Sequence, residues 1–470
     1  MFKKNSLFIV LLLFVFSFSM VEAQETWSLE ECIDYAIKNS PTLAQSEFNL
    51  DLAELDLKDS KRRRLPSIDG NVFVGEQFGR FVDPTTNSFV NARTTFNSIN
   101  LNGDIPLFTG GQIKNDIAQQ KQLVSSAKWT FEEQINQLKL DVTRTFLAAS
   151  LAQDQLEVSR INLNSLEVQL RNTKKQVEAG TMSVTDRLEI EAQIASTRQT
   201  IIQSQYQLDL SKLDLKNILN LPSNEVIEIE RTDQDDLQEL NVDMQDHVDK
   251  ALQSYPSMLA NEANLKASEF EIKSVRGSFL PSISLSGSVN TNYSSNGTRV
   301  VGFEDIFFEE EVTIMGEPSV IRFADERSIR ESNPYFSQLN ENLGQRVNLS
   351  MFVPIFNRGL GQVSLQRAKV NLLRAKNDYD NNKRQLAYNV QQSVMDMNAS
   401  WQNYLASVES VRASERLLEN RQREYSLGVI NQVDYFLTRN RLITARLQLI
   451  RAKYDYIFKT KVVELYGNVN

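Results

Sequence analysis

Few residues in this chain are of a type that does chemistry, and their spacing argues against catalysis. There is one histidine, His247, and one cysteine, Cys32. No nucleophile pattern accompanies His247, no Gly-rich phosphate loop occurs, and no cluster has metal-ligand spacing. The chain therefore reads as a non-enzyme with neither cofactor nor metal. A lone cysteine excludes an intrachain disulfide. Its place in the pattern Leu29, Cys32, Ile33, Ala36, Ile37 is that of a buried helix thiol. Two aspartates are more informative. Residues 177–188 read VEAGTMSVTDRL and residues 425–436 read YSLGVINQVDYF. Each has Gly at the fourth position (Gly180, Gly428) and Asp six residues later (Asp186, Asp434). At the third position of a helix such a carboxylate stabilises the first turn by about 0.3–1 kcal/mol.

The elements around these aspartates explain the spacing. From Gln112 to Glu178 there is no Gly or Pro, and Ile135, Leu138, Val142, Thr145, Ala149, Ala152, Leu156, Ser159, Leu163, Leu166, Leu170, Thr173 and Val177 step by three and four. That is a coiled-coil seam on one long helix, about 100 Å at 1.5 Å per residue. Gly180 ends it in the left-handed conformation. Ser183-Val-Thr-Asp186 then opens a returning helix with an N-cap and an acid at N3. Gln362 to Leu427, Gly428 and Asn431-Gln-Val-Asp434 repeat the same order. Both Asp-bearing turns are therefore tight helical hairpins.

The repeat extends further. Pro106-Leu-Phe and Gly111 match Pro354-Ile-Phe and Gly359 at the offset of the two hairpins, 248 residues; Ser40-Pro41 and Leu65-Pro66 match Tyr255-Pro256 and Leu280-Pro281 at 215. The second copy thus carries 33 extra residues between Pro281 and Pro354. Residues 24–221 form one repeat and 222–470 the other. Each opens with a short helix after its proline, Thr42 to Arg64 and Ser257 to Phe279. Returning and short helices stacked end to end span about 90 Å, which predicts a broken column beside the long helix. The segment Pro222 to Tyr255, with Asp233, Asp235, Asp236 and Glu239, is then expected to bulge into solvent as a belt.

Each repeat also holds two strands. Ile283, Leu285, Val289 and Tyr293 alternate with serines and asparagines, as do Val347, Leu349, Met351, Val353 and Ile355. Ile99, Leu101, Ile105 and Leu107, and more briefly Ile68, Val72 and Val74, do the same in the first copy. A period of two gives strands with one apolar and one polar face. The extra 33 residues, with FEDIFFEEE at Phe303 to Glu311, read as a solvated acidic outer loop, with a plug or partner site as alternatives.

Composition narrows the setting. Lys3 and Lys4, the apolar stretch Leu7 to Phe18 and Val21-Glu22-Ala23 make a signal peptide over residues 1–23. The net charge of −9 becomes −10 once Lys3, Lys4 and Glu22 are removed. An acidic exported chain is a poor partner for nucleic acid. The one basic run, Lys61 to Arg64, suits a helix C-terminus. After the leader no apolar run is long enough for a spanning helix, so any membrane crossing must use strands. Four strands cannot close a barrel, which needs about eight or more, so copies must pool their strands. Two copies give eight, three give twelve. The rival reading is a periplasmic coiled-coil scaffold or adhesin, which explains the seam but leaves the apolar strand faces with nothing to pack against.

The duplicated order of helix, two strands, long helix and returning helix, the junctions PLFTGG (Pro106 to Gly111) and PIFNRG (Pro354 to Gly359), and the two Gly-x5-Asp hairpins together resemble the outer-membrane efflux protein family of TolC-like channels. The resemblance covers essentially the whole mature chain. It implies a mainly α fold with a membrane β-barrel portion: a homotrimer in outer-membrane lipid, its 12-stranded barrel continuous with a periplasmic α-helical barrel. It implies a passive exit duct of a tripartite efflux or type I secretion system, joined by a periplasmic membrane-fusion adaptor to an inner-membrane pump of the RND or ABC type. In such channels acids early in the second hairpin's ascending helix line the periplasmic entrance. That makes Asp434, and with it Asp186, pore-constriction candidates. The position three beyond Asp434 is Leu437, a departure that leaves one ring of three carboxylates, which would favour cations. The tips Gly180, Thr181, Met182 and Gly428, Val429, Ile430 are the adaptor-docking candidates.

Overall fold

The computed structural model describes residues 26–82, 87–91, 93–222, 224–231 and 237–467. The expected leader and the acids Asp233, Asp235 and Asp236 lie outside these residues. In chain order the elements are β1 (Thr26–Trp27), α1 (Leu29–Asn39), α2 (Pro41–Arg62), β2 (Ser67–Gln77), β3 (Arg80–Val82), β4 (Phe89–Asn91), β5 (Thr94–Thr109), α3 (Gln112–Glu178), α4 (Val184–Ile218), β6 (Glu228–Ile229), α5 (Met244–Ser254), α6 (Pro256–Gly277), β7 (Ser282–Ser294), β8 (Thr298–Ile314), β9 (Glu317–Ser332), α7 (Tyr335–Glu341), β10 (Gly344–Phe352), α8 (Leu360–Ser426) and α9 (Gln432–Gly467). The described residues form two compact units. One comprises residues 26–53, 123–265 and 375–467; the other comprises Glu54–Gln122 and Lys266–Arg374.

The first unit is helical. Every residue of the expected α3 seam is buried or half-buried. Val142, Phe146, Leu147 and Ala149 pack with Leu215 and Leu219 of α4 and Tyr454 and Ile457 of α9. Ala152 and Leu156 meet Leu208. Each fully buried Val or Leu stabilises the fold by about 1.5–3 kcal/mol. Small polar residues tolerate the seam because they bond back to their own helix: Thr143 Oγ1 donates to the Lys139 carbonyl at 2.7 Å and Ser159 Oγ to that of Gln155 at 2.9 Å.

Cys32 and Ala36 of α1 are fully buried in the same cluster, as the apolar pattern predicts. Burial pushes the Cys32 thiol up to about 12, with the Glu31 carboxylate adding to the shift. Two features went unread. Thr26–Trp27 pairs in parallel with Glu228–Ile229, and the expected solvent belt contains α5. That segment does not bulge freely. Val248 and Ala251 of α5 pack on Leu386 and Val390. Leu237, Leu240, Val242 and Met244 cover Met397, Trp401 and Val463. Tyr456 Oη pins the connection, donating to the Gln238 carbonyl at 2.7 Å and accepting from the Leu240 N–H at 3.0 Å. The belt's acids are spaced among apolar residues that need cover, and the cover decides the outcome; Glu239, the one of the four named acids that lies within the described residues, is exposed as expected.

The second unit holds a four-stranded antiparallel sheet in the order β10-β7-β5-β2. Its register puts most of the apolar residues of the four strands on one face. Leu349 opposes Leu285, Leu285 opposes Ile105, Val289 opposes Leu101 and Ile99 opposes Val72. The other face is mainly Ser and Asn, with Phe73 and Phe96 stacked upon it at 5.6 Å, and there Ser284 and Ser350 share a hydrogen bond of 2.7 Å. The apolar side chains are left exposed, with Ile68, Val72, Val347, Leu349 and Met351 the most prominent. Val353 and Ile355, expected in the last strand, fall beyond it. The pairing of Phe352 with Ser282 runs out at Pro281, which has no N–H to give. In the first copy the ladder continues through a register shift at Pro106 and Phe108 to Thr109.

The 33 extra residues are not a loop. β8 and β9 pair from Thr298↔Ser332 to Ile314↔Glu317 as a long hairpin. Met315 and Gly316 both have positive φ (56° and 93°), the combination of a type I′ turn. Its base is clamped: Gln338 Nε2 donates to the Ser294 carbonyl at 3.0 Å and to that of Asn333 at 2.8 Å, while its Oε1 accepts from the Ser294 N–H at 3.0 Å. The expectation failed because charge and aromatics share both faces. Glu304 and Phe308 lie on one, Phe303, Phe307 and Glu309 on the other, so no polar face stands out.

Candidate functional site

Both hairpin ends of the first unit are built alike. Gly180 and Gly428 each have φ 73°. Each helix ends in the same pair of bonds: Gly180 N–H to the Val177 carbonyl and Thr181 N–H to that of Gln176, and correspondingly Gly428 to Tyr425 and Val429 to Glu424. A Cβ at either glycine would meet nothing within 4 Å. Only the backbone conformation demands glycine there.

The two aspartates differ. Asp186 sits in a closed capping box: the Thr185 N–H donates to Ser183 Oγ at 3.1 Å, and Asp186 Oδ2 accepts from the Ser183 N–H at 3.2 Å. Its carboxylate is half-buried and engaged. At the second hairpin the Asp434 N–H donates to Asn431 Oδ1 at 2.9 Å, but the Asp434 carboxylate is exposed and makes no return bond among the described residues. Of the two, Asp434 alone keeps a carboxylate free to face water or an ion.

A buried polar and aromatic group ties the hairpins together. Gln432 is 4% exposed, and its Nε2 donates to the Asp186 carbonyl at 2.8 Å. Tyr425 and Tyr435 stack at 5.1 Å with planes 13° apart. Phe436 is buried among Leu166, Ile190 and Ile194. One turn on, the buried Arg439 donates to Gln169 Oε1 at 3.1 Å and to the carbonyl and Oδ1 of Asn162 at 3.1 and 3.0 Å. Burial pushes the Tyr425 phenol up to about 12, helped by the charges of Asp186, Tyr435 and Glu189. Burial lowers the Arg439 guanidinium. Gln432, Tyr425, Tyr435 and Arg439 were not singled out from sequence; their partners lie on other helices.

Thr181 and Val429 are exposed, whereas Met182 and Ile430 are half-buried. Leu427, Val184 and Leu188, not singled out, add exposed apolar surface there. Elsewhere, His247 Nε2 lies 3.2 Å from the Val463 carbonyl, and among the described residues no group of His, Cys, Asp or Glu could hold a metal ion.

Comparison with known proteins returns one consistent answer. A family described as outer membrane efflux protein matches residues 32–221 and 247–466. The alkaline protease secretion protein AprF of Pseudomonas aeruginosa is 22% identical over 349 residues, 72% of this chain and 63% of that protein's length. The outer membrane protein TolC of Escherichia coli K12 is 21% identical over 456 residues, 94% of this chain and 83% of TolC. Crystallised CusC superposes with a TM-score of 0.75 at 18% identity, covering 93% of this chain and 92% of its own. At that identity the structural likeness shows the fold.

Proposed function

This chain belongs to the outer membrane efflux protein family, a family of outer-membrane transport channels, and we propose that three copies of it form a passive exit duct for cargo delivered from the inner membrane. The observation that carries this reading is the four-stranded sheet. One face is mainly apolar, the other mainly Ser and Asn, and β2 and β10 each pair on one side only. In lipid such edges leave backbone groups unsatisfied. Three copies joined edge to edge give twelve strands with an apolar wall outward and a polar lumen. A scaffold or adhesin leaves the apolar face without purpose.

In this reading the helices continue the duct into the periplasm. The hairpin ends, with Gly180, Thr181, Met182, Gly428, Val429 and Ile430, dock a periplasmic membrane-fusion adaptor, through which an inner-membrane pump of the RND or ABC type supplies energy and selects cargo. The apolar side chains exposed at Val429, Leu427 and Leu188 support such a contact. Asp434 lines the entrance; the free carboxylate supports that role, and the engaged carboxylate of Asp186 favours a capping role there. The test is reconstitution of the detergent-solubilised protein in planar bilayers. Discrete conductance steps support the duct, and Asp434→Ala is expected to alter cation selectivity and divalent block. Absence of any conductance from a properly assembled oligomer overturns it.

A further inference from the structure

Along α9, Asp434, Leu437, Arg441, Thr444, Gln448 and Arg451 recur at three and four residues and are all exposed. Apart from Leu437 the stripe is polar. On α4 the positions 248 residues earlier, Asp186, Glu189, Gln193, Ser196, Thr200 and Gln203, are polar too, but none of them is a cation.

Near the hairpin ends several charges are engaged. Arg421 pairs with Glu424 at 2.8 Å, Arg446 with Glu415 at 2.7 Å, and Arg423 with Glu419. Asp434 and Arg441 make no ion pair among the described residues. They lie seven residues apart on one face, about 10.5 Å along the axis, with the uncharged Leu437 between them.

We propose that Arg441 determines ion selectivity: it places a cationic ring behind the anionic ring of Asp434, so that the entrance is a bipolar filter and not a cation-selective one. This rests on the duct reading above. The separation decides how the rings act. At physiological salt the screening length is about 8 Å, shorter than the gap, so the rings present successive barriers of opposite sign and do not cancel as a pair. An anionic ring favours cations and a cationic ring favours anions; two in series pass neither preferentially and give a current that depends on the sign of the voltage.

The experiment is single-channel recording of the assembled oligomer under a salt gradient, with oligomer mass checked for each variant. The wild-type protein is expected to rectify, with a cation-to-anion permeability ratio near unity. Arg441→Gln is expected to raise that ratio severalfold and remove the rectification, and Asp434→Asn to shift it the opposite way. Arg441→Lys, which keeps the charge but not the guanidinium, is expected to retain the wild-type profile; a merely structural arginine would not be rescued in this readout. An unchanged ratio and unchanged rectification in Arg441→Gln overturn the proposal while leaving the duct intact. A correctly assembled wild-type oligomer that passes no current overturns the duct reading and the proposal with it.

Discussion

Gln432 Nε2 donates to the backbone carbonyl of Asp186 at 2.8 Å, so the first residue of α9 holds the first turn of α4. The amide is almost wholly buried; the Asp186 carbonyl keeps its partner within α4, so removing the amide takes away one net hydrogen bond, about 0.5–1.5 kcal/mol. Gln432→Ala is therefore expected to speed amide exchange at the start of α4 by roughly 2- to 13-fold. Unchanged protection there would show that the bond holds nothing in place.

The hairpin glycines serve conformation alone, and glycines elsewhere serve packing. Gly180→Ala or Gly428→Ala meets no neighbour and should cost about 1–2 kcal/mol through the positive φ. Gly110 also has positive φ, but a Cβ there would collide with the Gly277 carbonyl oxygen. Gly110→Ala should cost about 3 kcal/mol or more, because strain and a backbone clash combine. Chemical denaturation of the three variants checks the order.

Glu133 predicts a pH dependence. Its Oε2 is buried with no hydrogen-bond partner. Burial raises the carboxyl above its ordinary value of 4.5, and hydrogen bonds from Tyr255 and the Ser257 backbone only partly oppose the shift. A group whose folded value is raised contributes its full stability below the unfolded value and loses it as pH rises through the folded one. Glu133→Gln should therefore stabilise the helical unit at neutral pH, with the advantage shrinking below about pH 4.5. Thermal midpoints across pH 4 to 8 test this; a gain independent of pH would contradict it.

The β8–β9 hairpin should be separable from the sheet. Its clamp lies outside β8 and β9, in Ser294 at the end of β7, Asn333 and the buried Gln338. Excising residues 299–331 is expected to leave the unfolding midpoint of the sheet unchanged. Gln338→Ala, which orphans buried polar groups of Ser294, should lower it. If excision destabilises and Gln338→Ala does not, the assignment of the clamp is wrong.

What could be read from sequence was local and duplicated. The α3 seam, the Schellman turns at Gly180 and Gly428 and the alternation through Ile283 and Leu285 each repeat within one turn or one strand. What could not be read depends on distant partners. Thr26–Trp27 finds Glu228–Ile229 some 200 residues away. The burial of Gln432 and Arg439 is set by Asp186, Asn162 and Gln169 on other helices. The β8–β9 hairpin is not legible in the sequence because its turn uses Met315, an uncommon residue at positive φ, and its charges occupy both faces. At the two hairpins Asp434 and Asp186 occupy one position of the repeat, and the difference between them lies in hydrogen bonds that the sequence does not display.

The most direct test of the account is the native mass of the full-length mature protein, measured after extraction with and without detergent. The exposed faces of β2 and β10 and their one-sided pairing predict a species of three protomers that stays in solution only in detergent. A stable, monodisperse monomer in plain buffer would contradict the pooling of strands on which the duct depends.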